Sequence, residues 1–194
     1  MLFQYLVAAI IAITPGLDRA EAEVHVNAAI AASEAYGYSP ELLLAQAWVE
    51  SRFQRRDFSR RECHKGSCKR VTGVWESHEL PVGAKATFYC GALQVGGYIT
   101  WDRCQELMED VTENYMEGAA HLKEWEERYV QKDPKCRNYR VGSEKRLTCA
   151  LYGVGGGWKS LEQKTSTYPR RILYIRGKIK VFVRKAMKED QGNV

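Results

Sequence analysis

Residues 40–53 constrain the fold of this chain more than any other segment, because they predict a helix that is apolar on nearly every side. Ser39, Pro40 and Glu41 supply a capping hydroxyl, a proline for the first helical position and an acid for the first turn. The apolar residues of this helix are Leu42, Leu43, Leu44, Ala45, Ala47, Trp48 and Val49. A helix without a polar face has to be buried. We therefore expect a single core assembled around it.

The remaining periodicity predicts a mainly α-helical fold. Apolar residues recur at helical spacing over 24–36, 100–129, 147–152 and 168–188, and Gly37 and Gly153 mark the ends of the first and third segments. Residues 54–89 lose this pattern and include β-prone stretches such as 71–75, which favours an irregular or hairpin-bearing excursion. A polar loop is expected near 132–137. The predicted class is α+β, with a helical bundle around the buried helix and a small β excursion beside it.

The length of 194 residues suits one domain with short appendages. Apolar residues make up 45% of the chain and charged residues 27%, a balance that excludes general disorder. We assign residues 23–188 to the domain, residues 1–22 to an apolar leader and residues 189–194 to a tail.

The apolar run at residues 2–13 has two interpretations, and it is too short to indicate a membrane-spanning helix. One is a secretory signal with Ala20 and Ala22 near the cleavage point, although the usual cation before the apolar run is missing. The other is an uncleaved helix that contacts a membrane or a partner through residues 1–16. Both stay open.

Six cysteines form an even set, which favours disulfides and an oxidising compartment. Six cysteines allow fifteen pairings; the pairing we predict is Cys63–Cys68, Cys90–Cys104 and Cys136–Cys149. A zinc site is the alternative, because Cys63, His64 and Cys68 lie close together with His78 and Cys90 beyond them. That spacing lacks two matched CxxC pairs, so we expect no metal and no other cofactor.

The net charge of +5 is concentrated near the C-terminus, where residues 159–188 contain a single acid, Glu162. Such a field concentrates anionic polymers, whether a cell-wall glycan with acidic stems, a membrane surface or a nucleic acid. The lysines and arginines of this segment recur at helical spacing beside an apolar face, which is typical of a solvated helix surface. We therefore expect no nucleic-acid partner.

Glu50 is the candidate for chemistry, because it lies near the end of the apolar helix. Helical spacing places it on one face with Gln46 and Phe53. A carboxyl group opening into a partly desolvated cleft is expected to have a raised pKa and to keep a proton available near neutrality. Protonation of a glycosidic oxygen requires such an acid. The alternative is that Glu50 marks where the helix meets solvent and pairs with Arg52 or Arg55.

Four short motifs follow one another along the chain. They are Glu50-Ser51 at the end of the buried helix, Gly-Ala-Leu-Gln-Val at 91–95, Ala-Leu-Tyr at 150–152 followed by Gly155-Gly156, and Tyr168 before a basic helix. In this order they resemble the lytic transglycosylase domain of the lysozyme superfamily, over about residues 25–180.

The resemblance implies a lysozyme-like fold and cleavage of the β-1,4 bond between N-acetylmuramic acid and N-acetylglucosamine in peptidoglycan. Glu50 would be the sole catalytic carboxylate, acting as acid on the leaving oxygen and then as base on the C6 hydroxyl, so that a 1,6-anhydro ring forms. The implied substrate-binding residues are Ser51, Leu93, Gln94, Tyr152, Gly155 and Tyr168. The implied location is the periplasm, the exterior or a virion. A turn-capping amide at Gln94 and core packing of the two tyrosines are the structural alternatives.

Two departures from the family pattern keep other functions open. Gly153 stands where the family commonly has Asn, which favours a glycan-docking component of a virion or secretion apparatus without strong catalysis. The stretch between Glu50 and Gln94 is longer than usual and is expected to form one wall of the cleft. It contains further acids, namely Asp57, Glu62, Glu76 and Glu79. One of these could activate water, as in a hydrolytic lysozyme-type muramidase.

Overall fold

The computed structural model describes residues 2–64, 67–74, 80, 83–132, 134–140, 143–154 and 167–192, without the side chains of 61–64, 67–70, 74, 129–132, 134, 135 and 192. Its helices are α1 (Leu2–Ile13), α2 (Arg19–Tyr36), α3 (Pro40–Glu50), α4 (Trp101–Glu109), α5 (Val111–Lys132), α6 (Pro134–Arg137), α7 (Glu144–Val154) and α8 (Tyr168–Gly192). Its strands are β1 (Asp57–His64), β2 (Ser67–Val74), β3 (Lys85–Cys90) and β4 (Val95–Thr100). The predicted combination of a mainly helical chain with a small β part is confirmed.

The helix α3 is the buried centre that its sequence predicts. Residues 42–47 of α3 are all buried, and α3 packs against α2, α5 and α8. The helix begins at Pro40 as expected, but the Ser39 hydroxyl makes no capping bond, and the Ser39 carbonyl accepts the Leu42 N–H at 2.9 Å instead. The chain leaves the helix after Glu50, three residues before the predicted end. Glu50 therefore lies in the last turn.

The four strands form one antiparallel sheet in the order β2-β1-β3-β4. The sheet extends beyond residues 54–89, where the β part was predicted, because β4 continues to Thr100. Its inner face packs on α4, where the Trp101 ring lies 4.9 Å from the ring of Phe58 and 5.4 Å from that of Phe88. Gly96 and Gly97 in β4 explain why the strand was not predicted, since glycine has a low strand propensity.

The bounds of several helices differ from their predictions. A capping bond from the Glu21 N–H to the Asp18 carboxylate starts α2 at Arg19, five residues early. The predicted helix over 100–129 is two helices, because Asp110 ends α4 and its carboxylate caps α5 through the Glu113 N–H at 2.9 Å. The predicted loop at 132–137 is wrong, since α5 runs to Lys132 and residues 134–137 form α6. Gly153 lies within α7 and does not end it, and α8 continues through the predicted tail to Gly192.

The apolar N-terminal segment forms α1 and packs against α2 and α8. Leu6, Val7, Ala9 and Ile10 are buried there and belong to the main core. Tyr5 donates a hydrogen bond to Asp190 at 2.6 Å, which links α1 to the far end of α8. Among the described residues, no helix combines the length and the hydropathy needed to cross a membrane.

Two of the three predicted disulfides are confirmed. Cys90–Cys104 joins β3 to α4, and Cys136–Cys149 joins α6 to α7. Cys63 and Cys68 are direct partners in the β1–β2 register, but their predicted bridge lies outside the described side chains. Disulfides are typical of proteins from oxidising compartments.

Candidate active site

Glu50 is half-buried and contacts the hydroxyl of Tyr168, a residue in the first turn of α8. The amide of Gln46, one turn earlier on α3, also contacts this hydroxyl. Burial raises the pKa of Tyr168 well above its usual value, and the nearby negative charge and hydrogen bond of Glu50 raise it further. The phenol therefore stays protonated and serves as a donor at neutral pH. The structure thus brings together two of the residues that the motifs single out.

Arg52 and Arg55, the two cations proposed as alternative partners of Glu50, make other contacts. Arg55 forms an ion pair with Glu21 at 3.4 Å. The guanidinium of Arg52 lies 3.2 Å above the centroid of the Trp48 ring. The contacts described for these two arginines are thus with Trp48 and Glu21.

The chain directly after Glu50 adopts a strained conformation. Arg52 and Phe53 have φ angles of 59° and 66°, in the left-handed region that non-glycine residues seldom occupy. The buried ring of His25 holds this turn, because its Nε2 lies 3.0 Å from the Phe53 carbonyl and its Nδ1 3.2 Å from the Tyr115 hydroxyl. These contacts require the proton on Nε2, which then donates to the carbonyl. Such strain persists only where the surrounding structure enforces it.

The Gly-Ala-Leu-Gln motif forms a turn between β3 and β4, beside the end of α3. Gly91 has φ 74°, and a Cβ there would lie 2.4 Å from the Asn114 side chain and 2.7 Å from the Leu107 carbonyl, so only glycine fits. Gln94 is another non-glycine residue in the left-handed region, with φ 48°. The buried Asn114 of α5 anchors the turn, since it accepts the Leu93 N–H at 2.9 Å and donates to the Cys90 carbonyl at 2.8 Å.

Ser51 connects the two motifs. It is 7% exposed, and its hydroxyl donates to the Ala92 carbonyl at 2.8 Å and lies 3.3 Å from the Ala47 carbonyl. The Ser51 hydroxyl thus contacts main-chain oxygens both of α3 and of the turn at 91–94. Ser51 therefore positions the turn against the end of the helix that carries Glu50.

Leu93 and Gln94 were both predicted to bind substrate, but their side chains make contacts within the protein. Leu93 is 6% exposed and packs against Gly118 of α5. The Gln94 amide donates to the carbonyls of Asp57 at 3.0 Å and Gly91 at 3.1 Å, and its oxygen accepts the Ser59 hydroxyl at 3.3 Å. The geometry agrees with the interpretation of Gln94 as a turn-capping amide.

The main chain of Asp57 lies beside this turn. Its carbonyl accepts the Gly91 N–H at 2.9 Å, so the first residue of β1 lies directly beside the 91–94 turn. The half-buried carboxyl has a raised pKa, and burial is the cause. Of the other acids expected as helpers, the side chain of Glu62 and residues Glu76 and Glu79 lie outside the described parts of the chain.

Two of the predicted substrate-binding residues remain, namely Tyr152 and Gly155. Tyr152 is half-buried on α7, which packs against α5 and α8. Gly155 lies outside the described residues. In the part of the chain that the structure describes, no group of three or more His, Cys, Asp or Glu side chains could hold a metal ion.

Two pockets flank the helix end without including Glu50. The first has a volume of about 670 Å³ and lies between residues 13–18 and residues 52–56. The second, of about 730 Å³, lies between the end of α1 and the outer face of α8. Trp48 lines both pockets.

His25 and Asn114 are the site residues that the sequence analysis missed. Each is a fully buried polar side chain on an otherwise apolar helix face, and that isolation is the signal that could have found them. Buried polar groups need partners, and the partners here come from segments distant in sequence.

Comparison of the chain with known family models, with curated proteins and with solved structures found no match.

Proposed function

We propose that this protein cleaves peptidoglycan glycan strands between N-acetylmuramic acid and N-acetylglucosamine, with Glu50 as the acid and base and with 1,6-anhydro ends as products. One observation carries the proposal: a half-buried glutamate in the last turn of an apolar helix contacts a protonated tyrosine hydroxyl, beside the turn at 91–94. We accordingly propose a lysozyme-like fold for the chain.

The chemistry needs few groups. Glu50 donates its proton to the glycosidic oxygen as the bond to C1 of the muramic sugar breaks. The resulting carboxylate accepts the proton of the C6 hydroxyl of that sugar, whose oxygen bonds to C1. The nucleophile comes from the substrate itself, so its orientation by the site replaces a second catalytic carboxylate. Tyr168 holds Glu50 in place through both steps.

A Glu50→Gln variant tests the proposal. The amide keeps the shape of the side chain but cannot supply the proton, so we expect clearing of peptidoglycan in a zymogram to fall by at least about a hundredfold. Glu41→Gln is the matched control, since it changes another glutamate of the same helix in the first turn. Undiminished clearing by Glu50→Gln, with the same thermal unfolding midpoint as the wild type, overturns the assignment.

Hydrolysis is the second candidate, and the placement of Asp57 favours it. A half-buried carboxyl with a raised pKa beside the 91–94 turn could take a proton from an attacking water. Products with reducing ends, lost in Asp57→Asn, would support a hydrolytic muramidase over a transglycosylase. A docking component without catalysis would give neither product.

The proposed setting is extracytoplasmic or virion-associated. The disulfides Cys90–Cys104 and Cys136–Cys149 support an oxidising location. The partner that we propose is the glycan strand, with α1 as a further contact to a membrane or to a virion or secretion apparatus.

A further inference from the structure

The outer face of α8 exposes three large apolar side chains. Tyr174 is 62% exposed, Val181 64% and Phe182 41%. Helical spacing places them on one stripe, because positions about seven or eight apart share a face of a helix. A helix surface that only meets water carries polar side chains there. These three residues, the apolar stripe of α8, therefore indicate a contact surface.

A groove of about 730 Å³ lies between the apolar stripe and the end of α1. Its lining includes Ile13, Pro15, Trp48, Tyr174, Val181 and Phe182. Among the described residues that line the groove, Lys178 alone is charged. The α1 side adds no charge, since residues 2–13 contain no Asp, Glu, Lys or Arg. The apolar surface therefore continues from α8 onto the end of α1.

Cations surround this apolar surface. The exposed cations of α8 are Arg170, Arg171, Lys178, Arg184, Lys185 and Lys188. The Lys178 ammonium lies 4.8 Å from the centroid of the Tyr174 ring, so charged and apolar groups are direct neighbours. The first acid of α8 is Glu189, whose carboxylate lies 3.8 Å from the Lys185 ammonium. Residues 168–188 thus combine exposed apolar side chains with positive charge alone.

We propose that the apolar stripe and the groove bind the surface of an anionic lipid bilayer. In such a bilayer, negative headgroups lie directly over apolar chains, so one partner matches both kinds of side chain. The long stems of Lys178 and Lys185 let their ammonium groups reach the headgroups while the apolar stripe enters the boundary below. A glycan strand or a nucleic acid supplies anions but no continuous apolar layer.

This surface differs from a contact through residues 1–16 alone. The buried residues of α1 are Leu6, Val7, Ala9 and Ile10. Their burial in the core leaves a limited part of α1 for a bilayer, and α8 supplies the cations and the large exposed side chains. Glu50 and Tyr168 do not line the groove, so lipid binding does not depend on glycan cleavage.

Co-sedimentation with vesicles tests this surface. The full chain is mixed with vesicles of phosphatidylcholine alone, or of phosphatidylcholine with about one third phosphatidylglycerol. We expect binding to the anionic vesicles only, and weaker binding at higher salt concentration. The double variant Lys178→Gln, Lys185→Gln should bind the anionic vesicles roughly 10- to 30-fold more weakly, since each cation near an anionic surface contributes about fivefold.

A second double variant, Tyr174→Ser, Val181→Ser, removes exposed apolar area and no charge. It should also weaken binding by about tenfold, because less apolar surface enters the bilayer. Tyr98→Ser is the matched control, since Tyr98 is an exposed tyrosine of β4. The control for charge is the double variant Lys85→Gln, Lys145→Gln, which changes two exposed lysines outside the surface. Both controls should bind like the wild type.

The two double variants separate a bilayer from other partners, provided that their thermal unfolding midpoints match that of the wild type. If the lysine changes weaken binding and the Tyr174→Ser, Val181→Ser changes do not, the surface binds polyanions in general and the proposal is overturned. Equal binding to the neutral and anionic vesicles overturns it as well. Binding to neither kind of vesicle would leave a protein partner as the occupant and would exclude the bilayer.

Discussion

The contact between Glu50 and Tyr168 is the feature at the residue scale on which the proposed chemistry depends. The two residues are far apart in sequence, and the packing of α3 against α8 brings them together. The resemblance implied that both residues belong to one site, whereas the Gln46 contact to the same hydroxyl was not predicted. Side-chain positions at an interface between two helices depend on the packing of both.

Removal of the Tyr168 hydroxyl tests its positioning role. We expect Tyr168→Phe to lower kcat/KM on peptidoglycan about tenfold or more, because Glu50 loses a hydrogen bond that orients it. Tyr174→Phe removes a hydroxyl from an exposed position of the same helix and should have no effect. Turbidity loss of purified cell walls measures both rates. Equal rates for the wild type and Tyr168→Phe would remove Tyr168 from the site.

The raised pKa of Asp57 predicts a pH-dependent effect on stability. The folded state disfavours ionisation of the Asp57 carboxyl, so its protonated form contributes to stability. This contribution is complete below the ordinary pKa of 3.8 and is lost as pH rises through the higher pKa of the folded state. An Asp57→Asn side chain cannot ionise. The variant should therefore gain stability relative to the wild type between about pH 3 and pH 7, as measured by thermal unfolding. A difference that stays constant over this range would contradict the burial of Asp57.

Element bounds show what local signals can and cannot predict. Capping and proline signals predicted the start of α3 at Pro40. Its end was missed because Arg52 and Phe53 adopt left-handed conformations that no local signal announces and that His25 enforces from α2. A turn capped by the Gln94 amide was one of the two interpretations of the motif at 91–95, but its anchor on α5 depends on a contact across the fold.

The anchor of that turn provides a prediction at the element scale. Asn114→Ala leaves the buried Leu93 N–H and Cys90 carbonyl without their partner, so we expect a loss of about 2–4 kcal/mol in the free energy of unfolding. Thr112 lies two positions earlier on the same helix and is exposed; Thr112→Ala should cost less than about 0.5 kcal/mol. Urea unfolding measures both. A cost for Asn114→Ala no larger than that of the control would show that the turn does not depend on α5.

At the scale of the whole molecule, the helical part and the sheet share one core, and the candidate site lies where they meet. α3 belongs to the helical part, the 91–94 turn belongs to the sheet, and the Ser51 hydroxyl joins them. The general class could be predicted because the apolar periodicity of the helices is strong. The arrangement of the sheet against α4 could not, because aromatic contacts such as Phe58 with Trp101 join residues distant in sequence.

The Cys90–Cys104 disulfide holds the sheet to α4 next to the 91–94 turn. Replacing both cysteines by Ala should lower the free energy of unfolding by about 3 kcal/mol, given the sequence separation of 14 residues. The Cys136–Cys149 pair, with a separation of 13, is the matched control. We expect a similar loss of stability there and a smaller loss of activity, measured well below both unfolding midpoints. Equal losses of activity would contradict the special role of the 91–94 turn.

Mass spectrometry of the sugar products is the most direct test of the central claim. Purified peptidoglycan is incubated with the wild-type protein, with Glu50→Gln and with Glu41→Gln. The account predicts disaccharide-peptides with 1,6-anhydro ends from the wild type and from Glu41→Gln, and none from Glu50→Gln. Release of the same products by Glu50→Gln, or of no sugar products by the wild type, would contradict it.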